Sequence, residues 1–234
     1  MPESLHGLPI GYDVSGDTPE RPPVRSILGE FAALEPVDAQ AHAPALFSIS
    51  HGTDRAEMLW TYMFQGPFPN GEAMLGWLLR CEQSEDPLYF TVMDRASDRP
   101  VGMVSFMNMV PDMRRLELGN IWYAPSHQRT RINTEAIYIM LSVAFDVLGY
   151  RRVEWKCDAL NEPSRRAAER LGFTFEGVFR QHMIIKGRNR DTAWFSMLDG
   201  EWPQVKANME HWLYATPAGQ QPPVSLTELN RRAP

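Results

Sequence analysis

Between Ile121 and Thr134 the sequence runs Ile-Trp-Tyr-Ala-Pro-Ser-His-Gln-Arg-Thr-Arg-Ile-Asn-Thr, an apolar stretch that gives way to a polar loop and then to a helix-forming segment. A strand feeding a short loop and a helix aims unpaired backbone N–H groups, and the positive helix end, at one spot. Such a spot suits a phosphate or pyrophosphate. Its candidate residues are Gln128, Arg129, Thr130, Arg131, Ile132, Asn133 and Thr134, with Arg129 and Arg131 adding charge. An ordinary helix start with two solvated arginines is the competing reading. Farther on, Ser164, Ala167, Ala168 and Leu171 stand at i, i+3, i+4 and i+7, so Ser164 is the one hydroxyl on the face turned to the sheet. Asn161 lies at the entrance of the same helix, and the two form a polar pair or only a cap. Glu117 precedes Ile121 on one strand and is the first candidate for a proton acceptor, against a solvent-facing strand carboxylate. His182 and Asp191 are alternatives. His127 shapes the loop, and His42 and His51, lacking paired carboxylates, read as surface residues. No His or Cys spacing matches a metal site.

These residues need elements to hold them. The chain has 234 residues, 44% hydrophobic and 22% charged, with a mean hydropathy of -0.34, which suits one globular domain of roughly 180 to 200 residues plus tails. Residues 1–25 read as an extended Pro-rich arm, 26–213 as the domain and 214–234 as a tail. A formal charge of -6 argues against nucleic acid as the main partner. No window approaches the roughly 18 apolar residues that cross a bilayer, so no membrane partner is expected. Met1 to Pro23 lacks a basic region followed by an apolar one, which makes the cytoplasm the expected location. Cys81 and Cys157 are expected to be reduced packing residues.

Periodicity supplies the order. An extended segment over 26–37 leads to a helix capped by Asp38, and a second helix covers 72–85. Three antiparallel strands follow at 88–93, 101–110 and 116–123, then a mostly buried helix over 132–148 ended by Gly149. A strand at 153–157, a helix from Asn161 to Gly172, and strands at 173–183 and 191–198 complete the pattern. A sheet changing from an antiparallel meander to a β-α-β crossover splays or holds a ligand at the change.

The strand, Pro125, Gln128 and the helix opening Thr134-Glu135-Ala136 resemble the acetyl-CoA pyrophosphate loop of the GNAT superfamily of N-acyltransferases. Asn161-Glu162-Pro163-Ser164 with Ala167 to Phe173 is similar to that family's later helix, and Phe175-Glu176-Gly177 with Arg180 resembles its RimJ/RimL-like, ribosomal-protein N-acetyltransferase branch. The resemblance covers roughly 28–213. It implies an α+β fold with a single mixed, splayed sheet flanked by helices, and acetyl-CoA as acyl donor with no metal. It also implies that Ile121, Trp122 and Tyr123 hold the thioester and pantetheine, that the 128–134 loop grips the pyrophosphate, that Glu117 takes the amine proton through water, and that Ser164, beside Asn161, serves the departing thiolate. The family's loop carries glycines where this chain has Arg131 and Asn133, and many members carry a tyrosine where this chain has Ala168.

Attack on a thioester needs a neutral amine. Deprotonating an α-amino group of pKa near 8 costs only about 1.4 kcal/mol at pH 7, against about 4.6 kcal/mol for a lysine. The expected acceptor is therefore a primary amine of modest pKa, such as a peptide N-terminus or a small molecule, with Trp60, Tyr62, Phe64 and Phe68 as an acceptor wall or simply core. A second copy of the chain, in a homodimer, is a candidate partner. A catalytically weakened CoA-binding sensor or scaffold is the alternative function, motivated by the absent glycines and tyrosine.

Overall fold

A computed structural model of the chain describes residues 6–217, 220 and 224–231. The elements run β1 (Ile27–Leu28), β2 (Ala32–Pro36), α1 (Ala39–Ser50), α2 (Asp54–Glu57), α3 (Gly71–Glu82), β3 (Leu88–Asp94), β4 (Arg99–Val110), β5 (Arg115–Tyr123), α4 (Arg131–Ser142), β6 (Arg152–Asp158), α5 (Glu162–Arg170), β7 (Thr174–Ile185), β8 (Arg188–Leu198), α6 (Trp202–Tyr214) and α7 (Leu226–Leu229). A 3-10 turn over Met58–Trp60 follows α2, and a π-helical turn over Val143–Val147 extends α4 toward Gly149, whose φ of 72° ends it.

The strands form a single eight-stranded sheet in the order β1-β2-β3-β4-β5-β6-β8-β7. All neighbours are antiparallel except β5 and β6. Helices cover both faces, so alternate strand residues are buried on opposite sides. One face packs Leu116, Leu118, Val153, Trp155 and Phe195 against α4, α5 and α6. The other packs Met103 and Trp122 against Trp60, α1 and α3. The expected α+β architecture with a mixed sheet is therefore present, and it includes the change from meander to crossover.

Local chemistry sets the helix positions. Asp38 and Asn70 cap α1 and α3 by accepting from Ala41 N (2.9 Å) and Ala73 N (2.9 Å). Two expectations are corrected. His42 is buried on α1, hydrogen-bonded to Thr91 Oγ1 at 2.9 Å and 3.5 Å from Glu35 Oε2; it sits with Ala39, Ala43 and Leu46 on the face that meets the sheet. His51 is half-buried, stacked on Phe47 with ring centroids 4.3 Å apart, and its Nε2 accepts from Phe68 N. Burial lowers its pKa.

The polar stripe of α4 is an interface. Glu135, fully buried, accepts from Glu30 N (2.9 Å), Phe31 N (2.7 Å), Ala32 N (2.6 Å) and the Tyr214 hydroxyl (2.8 Å). Tyr138 donates to Glu210, and Asp146 accepts from Trp202 and Lys206. The stripe thus docks the β1–β2 turn and α6. Beyond α6, Leu226 of α7 is buried, and Asn208 and Asn230 tie α7 to α6 and α5 by donating to Leu229 O and Arg170 O.

Candidate active site

The site begins where β5 and β6 part. Their parallel pairing runs from Arg115↔Arg152 to Leu118↔Trp155 and stops, although β5 continues to Tyr123 and β6 to Asp158. On its other edge β5 stays paired with β4, but Gly119↔Ser105 and Trp122↔Met103 leave Asn120 and Ile121 opposite Val104 alone. That is a β-bulge, with Asn120 in the left-handed region at φ 52°. Asn120 Nδ2 donates to Ser105 Oγ, which donates to Gly119 O. The bulge bends β5 and helps open the wedge.

Past the bulge, Ala124 N donates to Val101 O of β4 at 2.8 Å. Backbone groups alternate along a strand, so Ile121 and Tyr123 direct their N–H groups away from β4, into the wedge. Trp122 turns its indole to the opposite face, 5.3 Å from the Trp60 ring. The loop then closes on itself: His127 N donates to Ala124 O, Thr130 Oγ1 to His127 O, and Gln128 Nε2 to Tyr123 O at 3.4 Å. Arg129 and Gln128 are exposed, and Arg129 holds φ 60°.

Helix α4 starts at Thr130 with no side-chain cap, whereas Asp38, Thr53, Asn70, Asn161 and Ser225 cap α1, α2, α3, α5 and α7. Its first N–H groups, from Arg131 to Asn133, are therefore open to an anion. The side chains around them are partly engaged. The Arg131 guanidinium lies 5.2 Å from the Phe31 ring centroid and donates to Pro217 O and Gln220 O, on the side facing α6 and the residues after it. Arg170 donates to Thr134 Oγ1 at 2.6 Å, and Thr134 Oγ1 to Thr130 O. Ile132 packs on the core, and the Asn133 carbonyl faces the Tyr123 hydroxyl at 3.5 Å. Burial raises the Tyr123 phenol.

Across the wedge, Asn161 caps α5 by accepting from Ser164 N (3.2 Å), and Ser164 Oγ accepts from Trp155 Nε1 (3.0 Å). The capping arrangement is thus present, and Ser164 faces the sheet. Ala168, where a tyrosine is common in the resembling family, is fully buried.

Glu117 stands on β5 just before the wedge, on the face away from α4 and α5. It is buried, accepts from Asn108 Nδ2 at 2.7 Å and lies 2.8 Å from Lys156 Nζ. Lys156 also reaches Glu154 at 2.9 Å and sits 3.9 Å from the Trp194 ring centroid. Glu154 continues to Arg115 and Arg152, and Arg152 to Glu176 at 2.6 Å. Burial works to raise Glu154, but the hydrogen bonds from Arg152 and Lys156 outweigh it and hold it low. Sequence reading missed this chain because it depends on register: Glu117↔Glu154 and Glu154↔Ser196 put three strands' polar residues side by side.

The same face is roofed. Tyr62 donates to Leu160 O at 3.2 Å, Lys186 at the β7–β8 turn donates to Trp60 O at 2.7 Å, and the Arg190 guanidinium lies 5.2 Å from the Phe64 ring centroid. The aromatic segment therefore divides: Trp60 and Phe68 join the core cluster, while Tyr62 and Phe64 cross to the β6–α5 loop and the hairpin. His182 pairs with Thr192 Oγ1 at 2.9 Å, and Asp191 accepts from Gln181 N and Asn189 at the hairpin surface. Cys81 and Cys157 are free and buried, and burial raises Cys81 to about 12. Among the described residues no group of three or more His, Cys, Asp or Glu is placed to hold a metal, and no helix is long and apolar enough to cross a membrane.

Comparison with known proteins agrees with this geometry. Residues 33–174 match the acetyltransferase (GNAT) domain family. A crystal structure of a GCN5-related N-acetyltransferase from Brucella melitensis is 44% identical, with a TM-score of 0.86, over 91% of this chain and 97% of that one. A Chromobacterium violaceum protein assigned to the GNAT family is 39% identical, with a TM-score of 0.76, over 83% of this chain and 98% of that one. YdaF of Bacillus subtilis (strain 168), named provisionally as a ribosomal N-acetyltransferase, is 34% identical over 105 residues, 45% of this chain and 57% of YdaF. This chain thus spans little more than half the length of that curated relative. An opened β5–β6 wedge facing an uncapped helix, and a family match that covers both, lead to one assignment: the chain belongs to the GNAT family of N-acetyltransferases.

Proposed function

We propose that this chain moves an acetyl group from acetyl-CoA to a primary amine by direct attack in a ternary complex. The observation that carries the reading is the wedge: β5 and β6 separate after Leu118 and Trp155, directly in front of the uncapped start of α4. Acetyl-CoA supplies a thioester whose carbonyl carbon accepts the amine nitrogen as the carbon–sulfur bond breaks. The N–H groups of Ile121 and Tyr123 hold the thioester and pantetheine alongside Trp122, by the hydrogen bonds a neighbouring strand would otherwise make. Gln128, Arg129, Thr130 and the backbone from Arg131 through Ile132 and Asn133 to Thr134 grip the pyrophosphate, with Arg129 the exposed charge.

Glu117, held by Asn108 and Lys156, takes the amine proton through water. Ser164, positioned by Asn161 and the Trp155 indole, donates to the departing thiolate in place of a tyrosine at 168. The acceptor enters beneath Tyr62 and Phe64. Similarity to YdaF supports placing the chain in the RimJ/RimL-like branch, with a peptide N-terminus as one acceptor class and a small-molecule amine as the other. A cytoplasmic location and a homodimer belong to the same reading, as does the division into an arm at 1–25, a catalytic domain at 26–213 and a tail at 214–234.

Two measurements test it. Acetyl-CoA at about 100 times its dissociation constant adds about 2.7 kcal/mol of stability, seen as a rise in the melting temperature. Thiol release from acetyl-CoA then has to depend on an added amine. Binding without release with a broad amine and peptide panel selects the sensor reading instead; no shift at millimolar acetyl-CoA overturns both.

A further inference from the structure

Arg190 is a buried cation with no carboxylate within 4.0 Å among the described residues. It is 7% exposed, its Nε donates to Thr192 Oγ1 at 3.2 Å, and the Phe64 ring flanks its guanidinium. Every other buried charge on this face is matched: Glu117 and Glu154 by Lys156, and Glu154 again by Arg152. Burial lowers the Arg190 pKa, and the carboxylates close enough to oppose that are Asp158 and Glu117. Neither forms an ion pair with it, and Asp158 Oδ1 accepts from Leu160 N.

The position is telling. On β8, Ala193, Phe195 and Met197 join the core beneath α4 and α5, so Arg190, Thr192, Trp194 and Ser196 occupy the opposite face. Trp194 pairs with Lys156, and Ser196 with Glu154 across from Glu117. Arg190 therefore stands on the Glu117 face, under the Tyr62–Phe64 roof. Desolvating a guanidinium is costly unless a partner balances it. A planar donor fork left free beside a carboxylate that receives an amine proton is built to bind two-oxygen anions.

We propose that Arg190 binds an anionic group, a carboxylate or a phosphate, carried by the acceptor a few atoms from its amine, so that the substrates are amino acids, acidic peptides or phosphorylated amines rather than neutral or basic ones. This rests on the acetyltransfer reading and extends it to substrate class.

The experiment compares matched acceptors on the full chain: peptides with Asp, Asn, phosphoserine or Ser at the second position, and free α- and β-amino acids against their amides. The wild type is expected to show kcat/KM roughly ten- to hundredfold higher for the anionic member of at least one pair, the range of a charged hydrogen bond. Peptide and small-molecule arms separate the two sources of the anion. Arg190→Gln is expected to bring the ratio to about one, and Arg190→Lys to restore part of it. Equal rates for acid and amide in the wild type, or a preference that survives in Arg190→Gln, overturns the proposal without touching acetyl transfer. The wild-type comparison needs no variant, so misfolding of Arg190→Gln does not blunt it. Acetyl-CoA stabilisation with transfer to no acceptor of either kind removes the transfer reading and this one with it.

Discussion

Lys156 Nζ stands 2.8 Å from Glu117 Oε2 and 2.9 Å from Glu154 Oε2, one ammonium shared between two buried carboxylates on neighbouring parallel strands. Two carboxylates so placed would repel each other without it. The lysine bridges the two, and Arg115 and Arg152 add further partners at Glu154. Asn108 Nδ2 also donates to Glu117 and fixes the carboxylate, the proposed proton acceptor, at the edge of the wedge.

Glu117→Gln keeps the shape and the Asn108 contact but removes the proposed proton acceptor. Turnover is expected to fall about 10²- to 10⁴-fold, with acetyl-CoA affinity unchanged within a factor of a few. Steady-state kinetics beside an acetyl-CoA thermal shift separates the two; full turnover in Glu117→Gln passes the role to His182 or Asp191.

Ser164→Ala and Asn161→Ala should lower turnover more than acetyl-CoA affinity. Ser164→Ala also strips the Trp155 indole of its acceptor, which costs about 1–3 kcal/mol in folding stability. Urea denaturation measures that cost independently of activity. Unchanged turnover in both variants would take the pair out of the mechanism.

Glu135 accepts four hydrogen bonds, two of them through Oε2 from Phe31 and Ala32. Glu135→Gln retains one oxygen and turns an NH2 toward donors, so a loss of about 3 kcal/mol or more is expected in chemical denaturation. Gly29→Ala tests the same clamp from outside, because an added Cβ would lie 2.5 Å from Glu135 Oε2.

Acid sensitivity follows from the other end of the ion chain. The Arg152 guanidinium holds Glu176 below its ordinary 4.5, and with Lys156 it overcomes burial to do the same at Glu154. A depressed folded pKa means the unfolded chain protonates first as pH falls. This stabilisation is therefore complete above about 4.5 and drains away as pH drops toward the folded values. Arg152→Met should move the acid-unfolding midpoint, followed by circular dichroism, to higher pH.

Arg129 holds a left-handed backbone at φ 60° that glycine adopts without strain. Arg129→Gly is expected to leave stability unchanged or raise it by up to about 1 kcal/mol while weakening acetyl-CoA several-fold. Opposite signs in melting temperature and dissociation constant are the result to look for; equal acetyl-CoA affinity would remove Arg129 from the grip.

Much of the frame could be read in advance because its signals are local. Asp38, Asn161, Gly149 and Gly172 mark helix ends by their own chemistry, and the alternation in Val153, Trp155 and Cys157 is a strand's. Helix α6 went unread although Trp202, Val205, Met209 and Leu213 lie on one buried face, since polar residues and Pro203 mask their spacing. His42 looked exposed because burial of a lone histidine depends on Thr91, 49 residues away in sequence. Lys156 and Arg190 gave no signal at all: their meaning comes from register across β5, β6 and β8, and from the β7–β8 turn folding back to Trp60. Arg131 could be counted as a charge near the loop, but not traced to Phe31 and the carbonyls of Pro217 and Gln220.

The two flanks of the chain are moored to one post. Glu135 takes the β1–β2 turn on one side and Tyr214 on the other, and Arg131, one helical turn earlier, takes Phe31 and Pro217 in the same way. A tag, cut or fusion placed after α6 would therefore tug on the first turn of α4, and handling of either end should be felt at the proposed pyrophosphate grip.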